Sequence, residues 1–159
     1  MTRKSLDESD RIYRHVKSEI ERIIGARVKE KGTNVWELPK PYGHILNVHI
    51  STAKSYFWNF YRNKIQEIER ETESWSILLV GGRILKTYDD EKGDGEKVYL
   101  KSIYNISSEE YQKRVNGYWT EREDGGFKIN DEGQDLRGIS SFASVKDALN
   151  DIIIHHKKS

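Results

Sequence analysis

The chain has 159 residues and no cysteine, and its 27 basic and 26 acidic side chains give a formal net charge of +1. Without cysteine, disulfide bridges, thiolate zinc sites and cysteine nucleophiles are excluded. The balanced charge excludes a field over the whole molecule that would attract nucleic acid or membranes, so any basic binding surface must be local. The length suits a single domain over residues 1–159, and flexible ends are expected at 1–10 and 155–159.

The N-terminal segment and the lengths of the apolar runs indicate where in the cell the protein is located. The N-terminal segment lacks the apolar stretch of a signal peptide. No run of the sequence approaches the ~18 apolar residues of a membrane-spanning helix. A cytoplasmic location without a membrane partner is therefore expected.

The first third of the chain is predicted to form a helix and two strands. Apolar residues recur at helical intervals from Ile12 to Ile24, and Gly25 is expected to end this helix. Residues 29 to 33 are predicted to be a charged turn. Short apolar runs predict strands at residues 35–38 and 45–50.

A dense group of five aromatic residues between positions 56 and 61 is predicted to open a second helix. On a helical wheel Phe57, Phe60 and Tyr61 share an apolar arc of about 140° with the isoleucines that follow. These three rings are therefore expected in the core.

The other side chains of this segment are candidates for nucleic-acid recognition. Trp58 and Tyr56 lie at the edges of the arc, where a partly exposed ring can receive an unpaired base. Arg62 follows Trp58 by one helical turn and is spaced to stack on it. Lys64 is predicted to point toward the apolar arc, where it either extends past the rings or meets an acidic or phosphate partner. Lys54 adds a cation nearby, and ordinary packing is the competing interpretation of the whole set.

The rest of the chain is predicted to complete an α+β domain with a central mixed β-sheet flanked by three or four helices. In chain order the expected elements are a strand at 75–80, a strand pair at 83–88 and 97–103 around the acidic loop 89–96, a capped helix from Ser107 to 115, a hairpin at 118–121 and 127–129, and a last helix from Ser144.

From about residue 9 to 103, this order of elements resembles the PD-(D/E)xK nuclease fold of many restriction endonucleases. In that family a helix precedes a strand pair that carries an acidic residue and then an acidic-x-Lys element, and a helix and a further strand follow. The resemblance assigns Glu37 to the first acidic position, and it places Asn47 and His49 at the positions of the second acid and the lysine. The family's acidic pair binds a divalent metal that activates water, while its lysine steadies the hydroxide or the phosphate.

The resemblance implies a nucleic-acid-associated module, DNA-binding in the first instance, with a degenerate catalytic motif. Asn47 is neutral and a weak magnesium ligand, and His49 is not a permanent cation. The alternative is an active nuclease in which Glu37 and Asn47 hold magnesium or manganese and His49 or a relocated Lys64 assists. DNA or RNA would be the partner in either case.

Two further interpretations stay open at this stage. One is a protein-interaction or assembly domain of a defence or viral system, with a protein partner or a second copy of the chain. The other is a reader of a modified base, in which two or three of the tryptophans Trp36, Trp58 and Trp119 converge into an aromatic cage.

Overall fold

The computed structural model describes residues 3–52 and 54–158, with the side chains of residues 8–52 and 54–153. Within these ranges the helices α1 to α4 are Arg3–Ile24, Arg62–Glu71, Ser108–Val115 and Val145–Lys158. The strands β1 to β8 are Lys29–Gly32, Val35–Glu37, Ile45–Ser51, Phe57–Tyr61, Trp75–Asp89, Gly93–Ser107, Gly126–Asn130 and Ser141–Phe142. The predicted α+β class with a central mixed sheet flanked by helices is confirmed.

The central sheet has six strands in the order β1-β2-β3-β5-β6-β8, and β4 pairs with β7 in a separate ribbon. Strands β3 and β5 are parallel, and the other neighbours are antiparallel. Because parallel strands cannot be joined by a tight turn, the chain between them crosses over through β4 and α2. Beyond the end of β3, strands β5 and β6 continue as a long hairpin.

Side chains of the sheet alternate between two cores on its opposite faces. One core contains Leu46 and Leu78 and is covered by α1 and α4; we call this side the α1/α4 face. The other contains Ile77 and Leu79 and is covered by α2, α3 and the two-stranded ribbon; we call this side the β4/β7 face. The alternation along β3 and β5 therefore decides which strand residues can meet at a site.

The aromatic segment is a strand, so the prediction that it opens a helix is wrong. It forms β4 and pairs with β7, and α2 begins only at Arg62. The strand period of two places Trp58 and Phe60 in the core, while Phe57 and Tyr61 are 37% and 42% exposed. Aromatic residues favour strands, and the partner that selects the strand lies far along the chain, beyond the reach of a local periodicity.

Three other elements also differ from the prediction. Residues 29–32 are a strand, and residues 118–121 do not pair with β7, which instead joins β4. Strand β5 does not end at residue 80 but continues through Gly81 and Gly82 in a β-bulge. A Cβ on Gly82 would lie 2.5 Å from the Tyr99 carbonyl oxygen, so glycine lets the two backbones approach there.

The predicted end of α1 and the predicted cap of α3 agree better with the structure, whereas the predicted loop 89–96 is shorter, with only residues 90–92 between β5 and β6. Gly25 ends α1 with a φ of +72°, and its N–H donates to the Glu21 carbonyl at 2.9 Å. The Ser107 hydroxyl accepts from the Glu110 N–H at 3.2 Å and caps α3. Helical backbone also covers residues 3–10 and 155–158, most of the expected flexible ends, whereas residues 1, 2 and 159 lie outside the described ranges. No helix in those ranges combines the length and apolar content needed to cross a membrane.

Candidate functional site

A cleft of about 480 Å³ lies between β3, the first turn of α2 and the β1–β2 turn, on the β4/β7 face. It brings together Asn47, His49 and Lys64, three of the four residues predicted for catalysis. Glu37, the fourth, is not among the residues that line it. The other polar side chains of the cleft are Thr33, Asn34, Asn59, Tyr61, Asn63, Glu67 and Asp124.

Asn47 and His49 form a fixed, neutral pair. The Asn47 amide nitrogen donates to the Asn34 carbonyl at 3.3 Å, and this contact sets the orientation of the amide. Its oxygen lies 2.5 Å from His49 Nε2 and can only accept, so Nε2 carries the hydrogen. Burial lowers the pKa of His49 to about 4. The imidazole is therefore uncharged at neutral pH and a weak base, unlike the lysine of an intact nuclease motif.

The strand next to Asn47 does not supply the acid that a metal site needs. Val35 lies opposite Asn47, whereas Glu37 lies opposite Ile45. The Glu37 carboxylate instead accepts from the Lys31 ammonium at 3.4 Å. Among the residues with described side chains, no group of three or more histidines and carboxylates could hold a metal ion. The predicted metal role of Glu37 therefore has no supporting ligands in this part of the chain.

Lys64 borders the cleft without making it electropositive. Its side chain is 41% exposed, and its ammonium lies 3.7 Å from the Glu67 carboxylate. Asp124 also lines the cleft. The prediction that Lys64 points into the apolar arc is wrong, because Ile65 and Ile68 form the buried face of α2. The cleft thus presents two carboxylates beside a single permanent cation.

Tyr56 and Trp58 are buried, contrary to the prediction that they are partly exposed. Trp58 is 2% exposed, and its indole N–H donates to the Val80 carbonyl at 3.0 Å. Tyr56 is 4% exposed and packs against Gly81, where an added Cβ would lie 3.0 Å from the ring. Neither ring is accessible for stacking on a base.

The predicted cations of this segment lie on different surfaces. The Arg62 guanidinium stacks 5.6 Å from the centre of the Phe127 ring, not on Trp58. Its Nε donates to the Glu121 carboxylate at 2.7 Å. Lys54 lines a separate cleft beside the β5–β6 hairpin. Lys54, Arg62 and Lys64 therefore do not form one binding surface.

The tryptophans do not converge into a cage. Trp36 lies on the α1/α4 face, where its indole N–H donates to the Tyr13 hydroxyl at 2.6 Å. Trp58 and Trp119 belong to the core of the opposite face, and all three side chains are buried. The sheet separates Trp36 from the other two rings, and because all three are buried, none is accessible to hold a modified base in such a cage.

A groove of about 500 Å³ beside β6 is the basic surface that sequence reasoning missed. Strand β8 pairs with β6 only at Ile103 and Tyr104, so within the described ranges residues 97–101 form an open edge. The groove runs between this edge, α1 and the start of α4, and we call it the β6 groove. Its permanent charges are the cations Arg22, Lys97, Lys101 and Lys146 and the carboxylate of Glu19.

The charge of the β6 groove is concentrated on its lysines. Glu19 lies 2.7 Å from Arg22, so this pair neutralises itself. Lys101 is also paired, since its ammonium lies 3.3 Å from the Asp131 carboxylate, although its side chain is 50% exposed. Between Lys97 and Lys101 in the strand, Tyr99 is 45% exposed. The alternating Lys-x-Tyr-x-Lys pattern was the one local signal for this groove, since Arg22 and Lys146 come from distant helices.

No protein-family model matches the chain, and comparisons with curated proteins and with solved structures give no match either.

Proposed function

We propose that the protein binds nucleic acid without cleaving it. The observation that carries this proposal is the β6 groove, where Lys97, Lys101 and Lys146 border an open strand edge. The whole chain has a net charge of only +1, so this concentration of cations is local. Lysines in such a groove bind phosphates and release counterions, which supplies affinity without sequence information.

The side chains of the groove favour a single strand of DNA or RNA. An exposed aromatic ring beside phosphate-binding cations is the combination by which proteins hold unpaired nucleotides, and Tyr99 supplies the ring. The start of α4 adds the positive end of a helix dipole, because Val145 and Lys146 line the groove. Ser144 caps this helix by accepting from the Asp147 N–H at 3.2 Å.

The proposed absence of cleavage rests on the Asn47–His49 cleft. The nuclease resemblance assigns Asn47 and His49, which line this cleft, to the positions of the second acid and the lysine. Metal catalysis by two carboxylates would need an acidic residue on each of the adjoining strands β2 and β3. At the paired positions these strands carry Val35 and Asn47. The neutral His49 is also a poor substitute for the lysine. A nuclease-like scaffold that binds and no longer hydrolyses is the function best supported by this donor set.

Binding is tested by fluorescence anisotropy with labelled single-stranded DNA, single-stranded RNA and duplex DNA of about 20 nucleotides. The affinity for a single strand is expected to fall between about 50 and about 200 mM salt, with a slope near −2 if three lysines each contact a phosphate. The variant Lys97→Gln/Lys101→Gln/Lys146→Gln is expected to bind at least about tenfold more weakly and to flatten this slope. The charge-matched control is Lys29→Gln/Lys40→Gln/Lys113→Gln, which changes exposed lysines elsewhere.

Equal loss of affinity in the two triple variants, or no binding by the unaltered protein, would reject the β6 groove as the binding surface. Cleavage is tested separately by incubating plasmid and structured DNA with magnesium or manganese. We expect intact substrate. Cleavage by the unaltered protein that disappears in Glu37→Ala would establish the nuclease alternative and contradict the non-catalytic proposal.

A further inference from the structure

A second basic surface lies at the other edge of the β5–β6 hairpin from the β6 groove. It is a cleft of about 450 Å³ between β5, the residues that follow β3 and the first half of α1, and we call it the β5 cleft. The pairing of β5 with β3 ends at Gly81, so within the described ranges the next residues of β5 form an open edge. The charged residues that line the cleft are Arg11, Lys54, Arg83, Lys86, Glu8 and Glu96.

Most of the positive charge of the β5 cleft is not neutralised. Arg11 forms an ion pair with Glu96, and the Glu8 carboxylate accepts a backbone N–H of β5 at 3.3 Å. The other three cations form no ion pair with a carboxylate among the described side chains. Arg83 Nε donates to the Tyr56 hydroxyl at 3.3 Å, which leaves the two terminal nitrogens of the guanidinium for a ligand. The cleft therefore favours an anion.

One face of the hairpin connects the β5 cleft with the β6 groove. Arg83 of the cleft and Tyr99 of the groove lie directly opposite each other in β5 and β6, so their side chains are on the same face. The Arg83 guanidinium and the Lys101 ammonium lie 5.9 Å and 5.2 Å from the centre of one ring, that of Tyr56. Cations from the two sites are therefore close enough to bind neighbouring phosphates of one strand.

This face of the hairpin also has exposed apolar surface between its cations. Leu85 lies two positions after Arg83 and directly opposite Lys97, so it shares their face. Leu85 is 40% exposed, and Tyr99 is 45% exposed. The alternate side chains, such as Ile84, pack on the opposite face against the core that α1 covers. Exposed rings and apolar surface beside phosphate-binding cations are the features that hold unpaired nucleotides.

We propose that a single strand of nucleic acid in the β6 groove continues across this face of the hairpin and reaches the β5 cleft. There Lys54, Arg83 and Lys86 bind its phosphates, while Leu85 and Tyr99 contact its bases on the way. This inference rests on the proposed function, and it extends the binding surface from one edge of the hairpin to both. The contacts to phosphate add affinity and salt dependence without sequence information.

The path is tested by fluorescence anisotropy with labelled single-stranded DNA of about 20 nucleotides. The variant Lys54→Gln/Arg83→Gln/Lys86→Gln is expected to bind at least about tenfold more weakly. Its salt slope should be less negative by about 2, since each of three lost phosphate contacts on a single strand contributes about 0.7. The matched control, which changes exposed cations outside the hairpin and should bind as the unaltered protein does, is Arg27→Gln/Lys29→Gln/Lys40→Gln.

A second variant tests the crossing itself without changing a cation. Leu85→Glu places a negative charge on the hairpin face between the two sites and should weaken binding by roughly threefold or more. Tyr88→Glu is its control, because residue 88 is 72% exposed and the strand period places it on the opposite face of β5. Undiminished binding by Leu85→Glu, or equal weakening in both glutamate variants, overturns the crossing.

Failure of this inference is distinguishable from failure of the proposed function. If the β5-cleft variant binds as its control does while Lys97→Gln/Lys101→Gln/Lys146→Gln is weakened, the strand does not reach the β5 cleft and the β6 groove alone binds it. If the unaltered protein binds no single strand, both proposals are overturned. Weakening in both triple variants, with the control unchanged, supports one continuous path.

Discussion

Replacing His49 with glutamine is expected to remove a pH dependence from the stability of the protein. Burial lowers the pKa of this imidazole from an ordinary value of 6.5 to about 4 in the folded protein. Between these two values the unfolded chain takes up a proton that the folded chain does not bind. The free energy of unfolding therefore decreases as the pH falls through this window. Glutamine keeps an N–H donor for the Asn47 oxygen but cannot titrate.

The size of the effect follows from the difference between the two pKa values. Each unit corresponds to about 1.36 kcal/mol, so the span from 6.5 to about 4 sets an upper limit of about 3 kcal/mol. Because His49 is half-buried at the edge of a cleft, solvent reduces the observed loss below this limit. Above pH 6.5 the contribution of His49 is constant, and the two proteins should then differ by an offset alone.

The assay is urea denaturation of the unaltered protein and His49→Gln from about pH 7.5 to about pH 4. The free energy of unfolding of the unaltered protein should fall more steeply in acid, by up to about 3 kcal/mol relative to the variant. NMR titration of the His49 ring in the folded protein should give a midpoint near 4. Parallel stability curves, or a ring that titrates near 6.5, would refute the assignment of a buried neutral imidazole at this cleft.

Two further predictions test the assignment of strands. Trp58→Ala should lower the free energy of unfolding by about 3–5 kcal/mol in urea denaturation, because it empties a core position. Phe57→Ala, its neighbour on the exposed face of β4, should cost less than about 1 kcal/mol, and equal costs would contradict the strand. Gly82→Ala should destabilise by more than about 1 kcal/mol, since its Cβ would lie 2.5 Å from a backbone oxygen. Gly32→Ala is the control, because the nearest atom to its added Cβ would be a lysine nitrogen at 3.8 Å. If both variants unfold at the same urea concentration, the close approach of the backbones at the bulge does not explain why residue 82 is glycine.

Sequence patterns predicted the parts of the fold whose signals are local. The helical face from Ile12 to Ile24, the glycine that ends α1 and the serine that caps α3 all depend on residues within a few positions of each other. Continuous apolar runs, which are typical of buried strands, predicted β3 and the first part of β5. The prediction for the aromatic segment was wrong because local spacing is ambiguous there. Two rings three positions apart lie on one face of a helix, but on opposite faces of a strand. Pairing with β7 decides between them.

Of the candidate site, the strand period predicted one pair of residues. Asn47 and His49 are two positions apart in β3, so the strand period alone places them on one face. Lys64 joins them because α2 belongs to the crossover that follows β3, but Glu37 does not line the cleft, since the register of β2 against β3 puts Val35 opposite Asn47. A two-residue change in register would put Glu37 opposite Asn47, and no local pattern fixes the register.

The sequence by itself determined the class of fold, the end of α1, the cap of α3 and the neutral motif in β3, because each depends on short-range periodicity or on residue type. Only the tertiary structure decided which aromatic rings are buried, and which cations share a surface. Lys97, Lys101 and Lys146 meet because the short strand β8 leaves an edge of β6 open and α4 begins beside it. The groove arises from long-range packing, which a pattern of neighbouring residues does not encode.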